Sequence, residues 1–314
     1  MNRSTTAPLA DTGRAAAPGV EHWTRKGDIR LFLWRKPLAP GAAPRGTILF
    51  VHGSSMASTP TFDLQVPGRP GSSAMDWFVA RGFDTWCMDN EGYGRSDKQS
   101  PINCDISNGA DDLAAGSEYI LKTTGAPRLL LYGISSGALK AALFAERHPG
   151  RVARIALDAF VWTGEGSPTL AERRKKLAEF SATNRRPIDR AFVRSIFARD
   201  HPGTADEATV EAFADAILAL DDSVPTGTYV DMCSKLPLVD PAKLAAPTLI
   251  LRGEYDGIAG IDDLLAYYRR LPNPDKQFSV MAGISHASFQ QKNYLNVYHL
   301  LHGFFTQPEP AYRG

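Results

Sequence analysis

Short apolar runs alternate along this chain with longer stretches in which apolar residues recur at helical spacing. The runs GTILFVHG (46–53), FDTWCMDN (83–90), RLLLY (128–132), RVARIALDAFVW (151–162), APTLILRGEYD (246–256) and KQFSVMAGISH (276–286) read as strands, GTILFVHG and RLLLY as buried ones. Before them, EHWTRKGDIRLFLWRKP (21–37) reads as two strands joined at Lys26-Gly27-Asp28. Helical spacing marks residues 74–81, 108–124, the alanine-rich stretch after Ser136, GIDDLLAYYRRL (260–271) and a closing helix over 290–305. Parallel neighbours need crossover connections, so this alternation predicts an α/β fold: a mostly parallel eight-stranded sheet with helices on both faces.

One interval breaks the alternation. From 164 to 243 no strand is evident, only helical segments such as TLAERRKKLAEFSA (169–182) and EATVEAFADAILAL (207–220). Both its ends return to the sheet, so the expected organisation is a core of residues 19–163 and 244–307 carrying an inserted helical cap, 164–243, after a mobile tail, 1–18.

RLLLYGISSGALKAALFA (128–145) places two serines between a strand and a helix. A chain reversing in so few residues needs small neighbours; glycine lies two positions either side of Ser135, whereas Ile134 stands two before Ser136. Ser135 therefore sits in the nucleophile-elbow pattern Gly133-Ile134-Ser135-Ser136-Gly137, at a helix N-terminus that favours developing negative charge. A nucleophilic serine needs a base, an acid to orient the base, and N–H donors for the oxyanion. Such groups are expected at the C-terminal ends of the strands.

Among seven histidines, His286 alone follows the last strand, and Asp256 directly follows the strand before it. Of the other carboxylates, Glu254 and Asp262 lie near Asp256, and Asp158, after the strand that follows the elbow, is the second choice of acid. His52 belongs to a His-Gly turn, His148 ends a helix, and His299 and His302 lie within the closing one. Backbone N–H groups of Ser136 and Ser54 are the expected oxyanion donors.

Composition narrows the class without adding chemistry. A net charge of +1 offers no electrostatic argument for nucleic acid or an anionic membrane, and no apolar segment approaches the length of a membrane span. The opening residues lack the apolar core of a signal peptide, so a cytoplasmic protein is expected. Cys87, Cys104 and Cys233 are too far apart for a C-x-x-C metal or redox site and read as small buried residues. DNEGYGRSDK (89–98) has Asp97 where a dinucleotide loop needs its third glycine.

FVHG, DNEGYGRS, GISSG, GEYD and GISH, in this order over residues 20–305, resemble the α/β-hydrolase family, and specifically its capped single-chain members. The resemblance implies Ser135 as nucleophile, His286 as base, Asp256 as its acid, and a site beneath the cap with no cofactor or metal. Serine at the elbow argues against the similar haloalkane dehalogenases and epoxide hydrolases.

One departure is the long connection SSMASTPTFDLQVPGRPGSS (54–73), whose Phe62, Leu64 and Val66 suit a second flap and whose length makes Ser55 an alternative donor to Ser54. The expected reaction is hydrolysis of a small to medium carboxylic ester or lactone through an acyl-enzyme. Amide, thioester and carbon–carbon cleavage use the same residues, and a non-catalytic ligand receptor on this fold is the rival from another class. Ser55, Phe62, Phe160 and Trp162, with Phe180 and Tyr229 of the cap, are the expected pocket residues. A homodimer through the cap or the sheet edge is compatible with the sequence.

Overall fold

The computed structural model describes residues 18–99 and 101–312. The expected tail thus lies, from 1 to 17, outside the described residues. A hairpin of β1 (Val20–Lys26) and β2 (Ile29–Lys36) opens the sheet, followed by β3 (Gly46–Val51), the short helices α1 (Ser58–Phe62) and α2 (Ala74–Val79), and β4 (Phe83–Met88). Helix α3 (Ile106–Thr124), strand β5 (Leu129–Ile134), helix α4 (Ser136–Arg147) and strand β6 (Val152–Asp158) complete the first part. Asp105 caps α3 by accepting a hydrogen bond from the Asn108 N–H, the usual service of an aspartate at that position.

The eight strands lie in the order β1-β2-β4-β3-β5-β6-β9-β10, where β9 is Thr248–Gly253 and β10 is Lys276–Met281. Only the pairs β1–β2 and β2–β4 are antiparallel. From β4 to β10 every pair is parallel. Consecutive strands leave β3 in opposite directions, to β4 on one side and β5 on the other, and a crevice opens over the strand ends at such a reversal. Strands β4 and β5 are buried at every position, which is why their sequences show no alternation. Helices α3 and α4 pack on one face; α2 and the closing α11 (Tyr294–Thr306) supply apolar residues to the cluster on the other.

Between β6 and β9 the chain forms α5 (Pro168–Arg174), α6 (Leu177–Ala182), α7 (Arg190–Ala198), α8 (Glu207–Leu218) and α9 (Gly227–Ser234). The expectation of an all-helical interval is corrected by a two-stranded antiparallel ribbon, β7 (Arg185–Pro187) with β8 (Ser223–Pro225). Each strand is three residues long, too short for a period of two to register. Helix α10 (Ile261–Arg270) then crosses to β10. Among the described residues no helix is long and apolar enough to cross a membrane.

The first part of the connection 54–73 is largely buried through Leu64, and exposure begins at Gln65 with Pro67, Gly68, Pro70 and Gly71. Ser58 donates from both its backbone N–H and its hydroxyl to Asp89 Oδ1, at 2.7 and 2.6 Å, fixing α1 over the end of β4. Phe62 then turns inward onto Phe50, Tyr132 and Phe289. Leu64 and Val66 are buried with residues of α7 and α8.

Candidate active site

Ser135 occupies the sharp turn between β5 and α4 with φ 58° and ψ −127°, a conformation that a residue with a Cβ adopts only under constraint from its surroundings. Those surroundings are close. A Cβ on Gly133 would come within 2.5 Å of the Gly137 carbonyl oxygen, and one on Gly137 within 2.3 Å of the Val51 carbonyl oxygen. Both glycines let backbone approach backbone, and the Ser135 N–H is held by the Asp158 carbonyl at 2.8 Å.

The turns after β9 and β10 bring the other two groups to this serine. His286 Nε2 lies 3.0 Å from Ser135 Oγ, and His286 Nδ1 lies 3.1 Å from Asp256 Oδ1. The same Oδ1 accepts the N–H groups of Ile258 at 2.8 Å and Ala259 at 3.4 Å. Burial alone would raise the Asp256 carboxyl. Electrostatic attraction to His286, its hydrogen bond and the two backbone donors outweigh burial and hold that carboxyl below its usual value. With the proton on Nδ1 facing Asp256, Nε2 presents a lone pair to the serine hydroxyl.

Asp158 is not placed to take this role. Its Oδ2 accepts the Tyr132 hydroxyl at 2.5 Å, and burial pushes its carboxyl up to about 7, against the pull of that hydrogen bond.

The turn after β3 forms the facing wall. His52 shapes it: Nδ1 bonds the Gly53 carbonyl at 2.8 Å and Nε2 accepts the Asn90 N–H at 3.0 Å. Both bonds suit the neutral ring, which burial and then the nearby Lys140 favour by lowering its pKa well below the ordinary value. Ser54 Oγ donates to Ser136 Oγ at 2.7 Å, and the Ser54 carbonyl accepts from Tyr93 and from Arg186 Nη2, each at 3.2 Å. The Ser136 N–H stands in the first turn of α4, where helix geometry supplies no acceptor.

Over Ser135 lies a cavity of about 20 Å³, lined by Ser54, Ser55, Met56, Ser135, Arg173, Ile196, Arg199, Tyr229 and His286. It has room for about one water. Ser55 Oγ accepts from Arg186 Nη2 at 2.7 Å and lies 3.3 Å from the Tyr229 hydroxyl. Phe180 packs edge-on against Tyr229 rather than lining the space.

Three more aromatic residues expected at the pocket lie elsewhere, so that of the five only Tyr229 lines it. Phe62 is core, for the reason given above. Phe160 is fully buried against Tyr267 of α10. Trp162 donates its indole N–H to the Val239 carbonyl at 3.2 Å and lines an outer groove. The cause is Asp263, whose carboxylate takes the backbone N–H groups of Trp162, Thr163 and Gly164 and fixes this segment on α10.

What the sequence did not disclose is the polar wall contributed by the insertion. Arg173, Arg186, Arg199 and Asp200 sit in segments whose charges suggest solvated faces, and no motif marks them. Arg199 and Asp200 form a two-bond ion pair at 2.9 and 3.1 Å. Carboxylate or ring atoms of Asp200, Asp256 and His286 lie within 4.8 Å of one another. These atoms are engaged already, Asp200 with Arg199 and Asp256 with His286, so the trio is arranged as ion pair and hydrogen bond rather than as an open ligand set.

Comparison with known proteins fits this geometry. The family model described as serine aminopeptidase, S33, matches residues 42–293. No curated protein sequence matches the chain. Similar solved structures include an esterase from Thermogutta terrifontis, 21% identical with a TM-score of 0.64, covering 92% of this chain and 100% of that one. An esterase from Exiguobacterium antarcticum is 15% identical with a TM-score of 0.67 over 92% and 100% of the two chains. Epoxide hydrolase VrEH1 from Vigna radiata is 15% identical with a TM-score of 0.66 over 91% and 97%. At such identities the likeness extends to the fold alone.

Proposed function

Because this chain belongs to the α/β-hydrolase family described as serine aminopeptidase, S33, we propose that it is a serine hydrolase that cleaves a carboxylic ester or lactone through an acyl-enzyme. The observation that carries the reading is the hydrogen-bonded series Ser135 Oγ, His286 Nε2, His286 Nδ1, Asp256 Oδ1, at 3.0 and 3.1 Å. Serine rather than a carboxylate at the elbow favours acyl transfer over epoxide opening.

Ser135 Oγ attacks the carbonyl carbon as its proton passes to His286 Nε2, and the imidazolium so formed is stabilised by the Asp256 carboxylate. Negative charge then develops on the carbonyl oxygen. The proposed donors to it are the Ser136 N–H and an N–H of the turn after β3, from Ser54 or Ser55, whose peptide is steadied by Tyr93 and Arg186 on the Ser54 carbonyl. His286 returns the proton to the leaving alcohol, and water repeats the sequence to free the acid and Ser135. The insertion acts as a cap: with about 20 Å³ over Ser135, a substrate enters only when the insertion shifts.

A fluorophosphonate tests the reading. Labelling at Ser135 in the folded protein, lost in Ser135→Ala and in His286→Ala, is the expected result; a folded protein that resists the reagent would refute it. The family description favours amide cleavage as the second reading. A series of esters and anilides sharing one acyl group separates the two, with anilide turnover matching ester turnover only for an amidase.

A further inference from the structure

The wall of the cavity is unusually cationic for a site meant for a neutral ester. Three guanidiniums, Arg173, Arg186 and Arg199, gather around Tyr229 and Ser55, all contributed by the insertion. Two carboxylates are nearby, and both are taken: Asp200 by Arg199, and Asp256 by His286. Among the described residues Arg173 and Arg186 have no anionic partner. Arg173 lies over the Tyr229 ring at 4.2 Å and Arg186 over the same ring at 4.0 Å. Arg186 is only 8% exposed, and its buried Nε has no hydrogen-bond partner. Cation–π contact recovers part of the desolvation cost of a buried guanidinium, and an anion recovers more. The local field has a visible effect on Tyr229: burial would raise its hydroxyl, but Arg173 and Arg186 above all bring it down to about 8.

We propose that the natural substrate carries a carboxylate in its acyl part, bound by Arg173 with Arg186 and the Tyr229 hydroxyl beside it. The topology fixes which part of the substrate this is. His286 protonates the leaving alcohol, so the alcohol faces the β9 and β10 side of β5, where His286 stands. Arg186 and Tyr229 are tied to Ser55, at the end of β3, on the other side of β5. The acyl chain therefore extends toward Arg186, Tyr229 and the Arg173 stacked on it, whereas Arg199, paired with Asp200 beside His286 and Asp256, stands on the alcohol side. A hemiester of a dicarboxylic acid has this form, its carboxylate a few carbons from the ester carbonyl.

The inference rests on the reading of Ser135 as nucleophile, and the test separates the two. In the full chain, hydrolysis of mono-4-nitrophenyl glutarate is compared with that of 4-nitrophenyl pentanoate, alongside fluorophosphonate labelling of Ser135. The charged ester is expected to show kcat/KM about tenfold or more above the neutral one, the worth of one or two hydrogen bonds to a charged group. Arg173→Gln should cut that ratio about tenfold and Arg173→Lys should restore part of it; Arg173 is half-buried, so these variants fold more readily than changes at Arg186. Equal rates for the two esters, or a ratio unmoved by Arg173→Gln, overturns the carboxylate site. Labelling of Ser135 with neither ester cleaved overturns the substrate class and leaves the nucleophile standing, whereas no labelling and no cleavage overturns both.

Discussion

Replacing Asp256 by asparagine tests how the acid acts. One oxygen, Oδ1, accepts the His286 ring N–H and both backbone N–H groups, while Oδ2 is buried with no hydrogen-bond partner. The backbone donors therefore hold an oxygen, and not an amide nitrogen, against His286 in Asp256→Asn. The ring keeps its tautomer, and the loss is confined to the charge that stabilises the imidazolium. Opposite unit charges ~4 Å apart at an effective dielectric constant of ~20 attract by ~4 kcal/mol. That corresponds to about a thousandfold in kcat/KM, short of the ~10⁴-fold loss expected when the wrong tautomer is enforced. The assay is steady-state hydrolysis of the ester that turns over fastest, with the labelling rate of Ser135 measured in parallel. A loss under tenfold, or a larger loss in Asp158→Asn, would refute the assignment of Asp256.

Three further outcomes are expected. Ser135→Gly should be more stable than Ser135→Ala by about 1 kcal/mol in urea unfolding, because both lack the hydroxyl and only glycine is at ease at φ 58°; equal stabilities would mean that the turn stores no strain. The Asp158 carboxyl, raised to about 7 by burial, keeps its proton in the folded state across the window from about pH 4 to pH 7 where the unfolded chain has lost it, so this group makes stability fall as pH rises. Asp158→Asn keeps an acceptor for Tyr132 and should raise Tm by a few degrees at pH 8 with no gain at pH 4; thermal scans at both values check the sign. Arg69 donates to the Phe289, Gln290 and Gln291 carbonyls and to the Thr209 hydroxyl, joining the 54–73 connection, helix α8 and the segment just past His286. Arg69→Ala should lower kcat about tenfold through a less steady His286, with faster amide hydrogen exchange at 287–291; unchanged exchange there would dismiss the clamp.

The middle of the sheet was legible because its strands are buried on both faces and show as short, largely apolar runs, and Asp256 and His286 lie in the turns that follow β9 and β10. Ser135 was legible because a tight reversal admits only small neighbours, and Gly133 and Gly137 are required by the backbone contacts found there. Phe62, Phe160 and Trp162 misled for a common reason. A large aromatic near a site gains more from burial in a packed core than from facing an open cleft, and a hydrogen-bonding anchor such as Asp263 decides where it goes. Arg173, Arg186 and Arg199 escaped notice for the opposite reason. A charged residue on an amphipathic segment reads as solvated until the fold shows which polar face is turned inward, and β7, which carries Arg186, is too short to announce itself.

The groups aligned for chemistry, Ser135, Asp256 and His286, come from turns at strand ends, while Arg173, Arg186, Arg199 and Tyr229 come from the inserted stretch. On the proposed reading, bond breaking falls to the turns at strand ends and molecular choice largely to the inserted stretch, with Ser54, Ser55 and Met56 sharing the cavity wall. On that reading, laboratory evolution confined to 164–243 is expected to change what is accepted while Ser135, Asp256 and His286 stay in place.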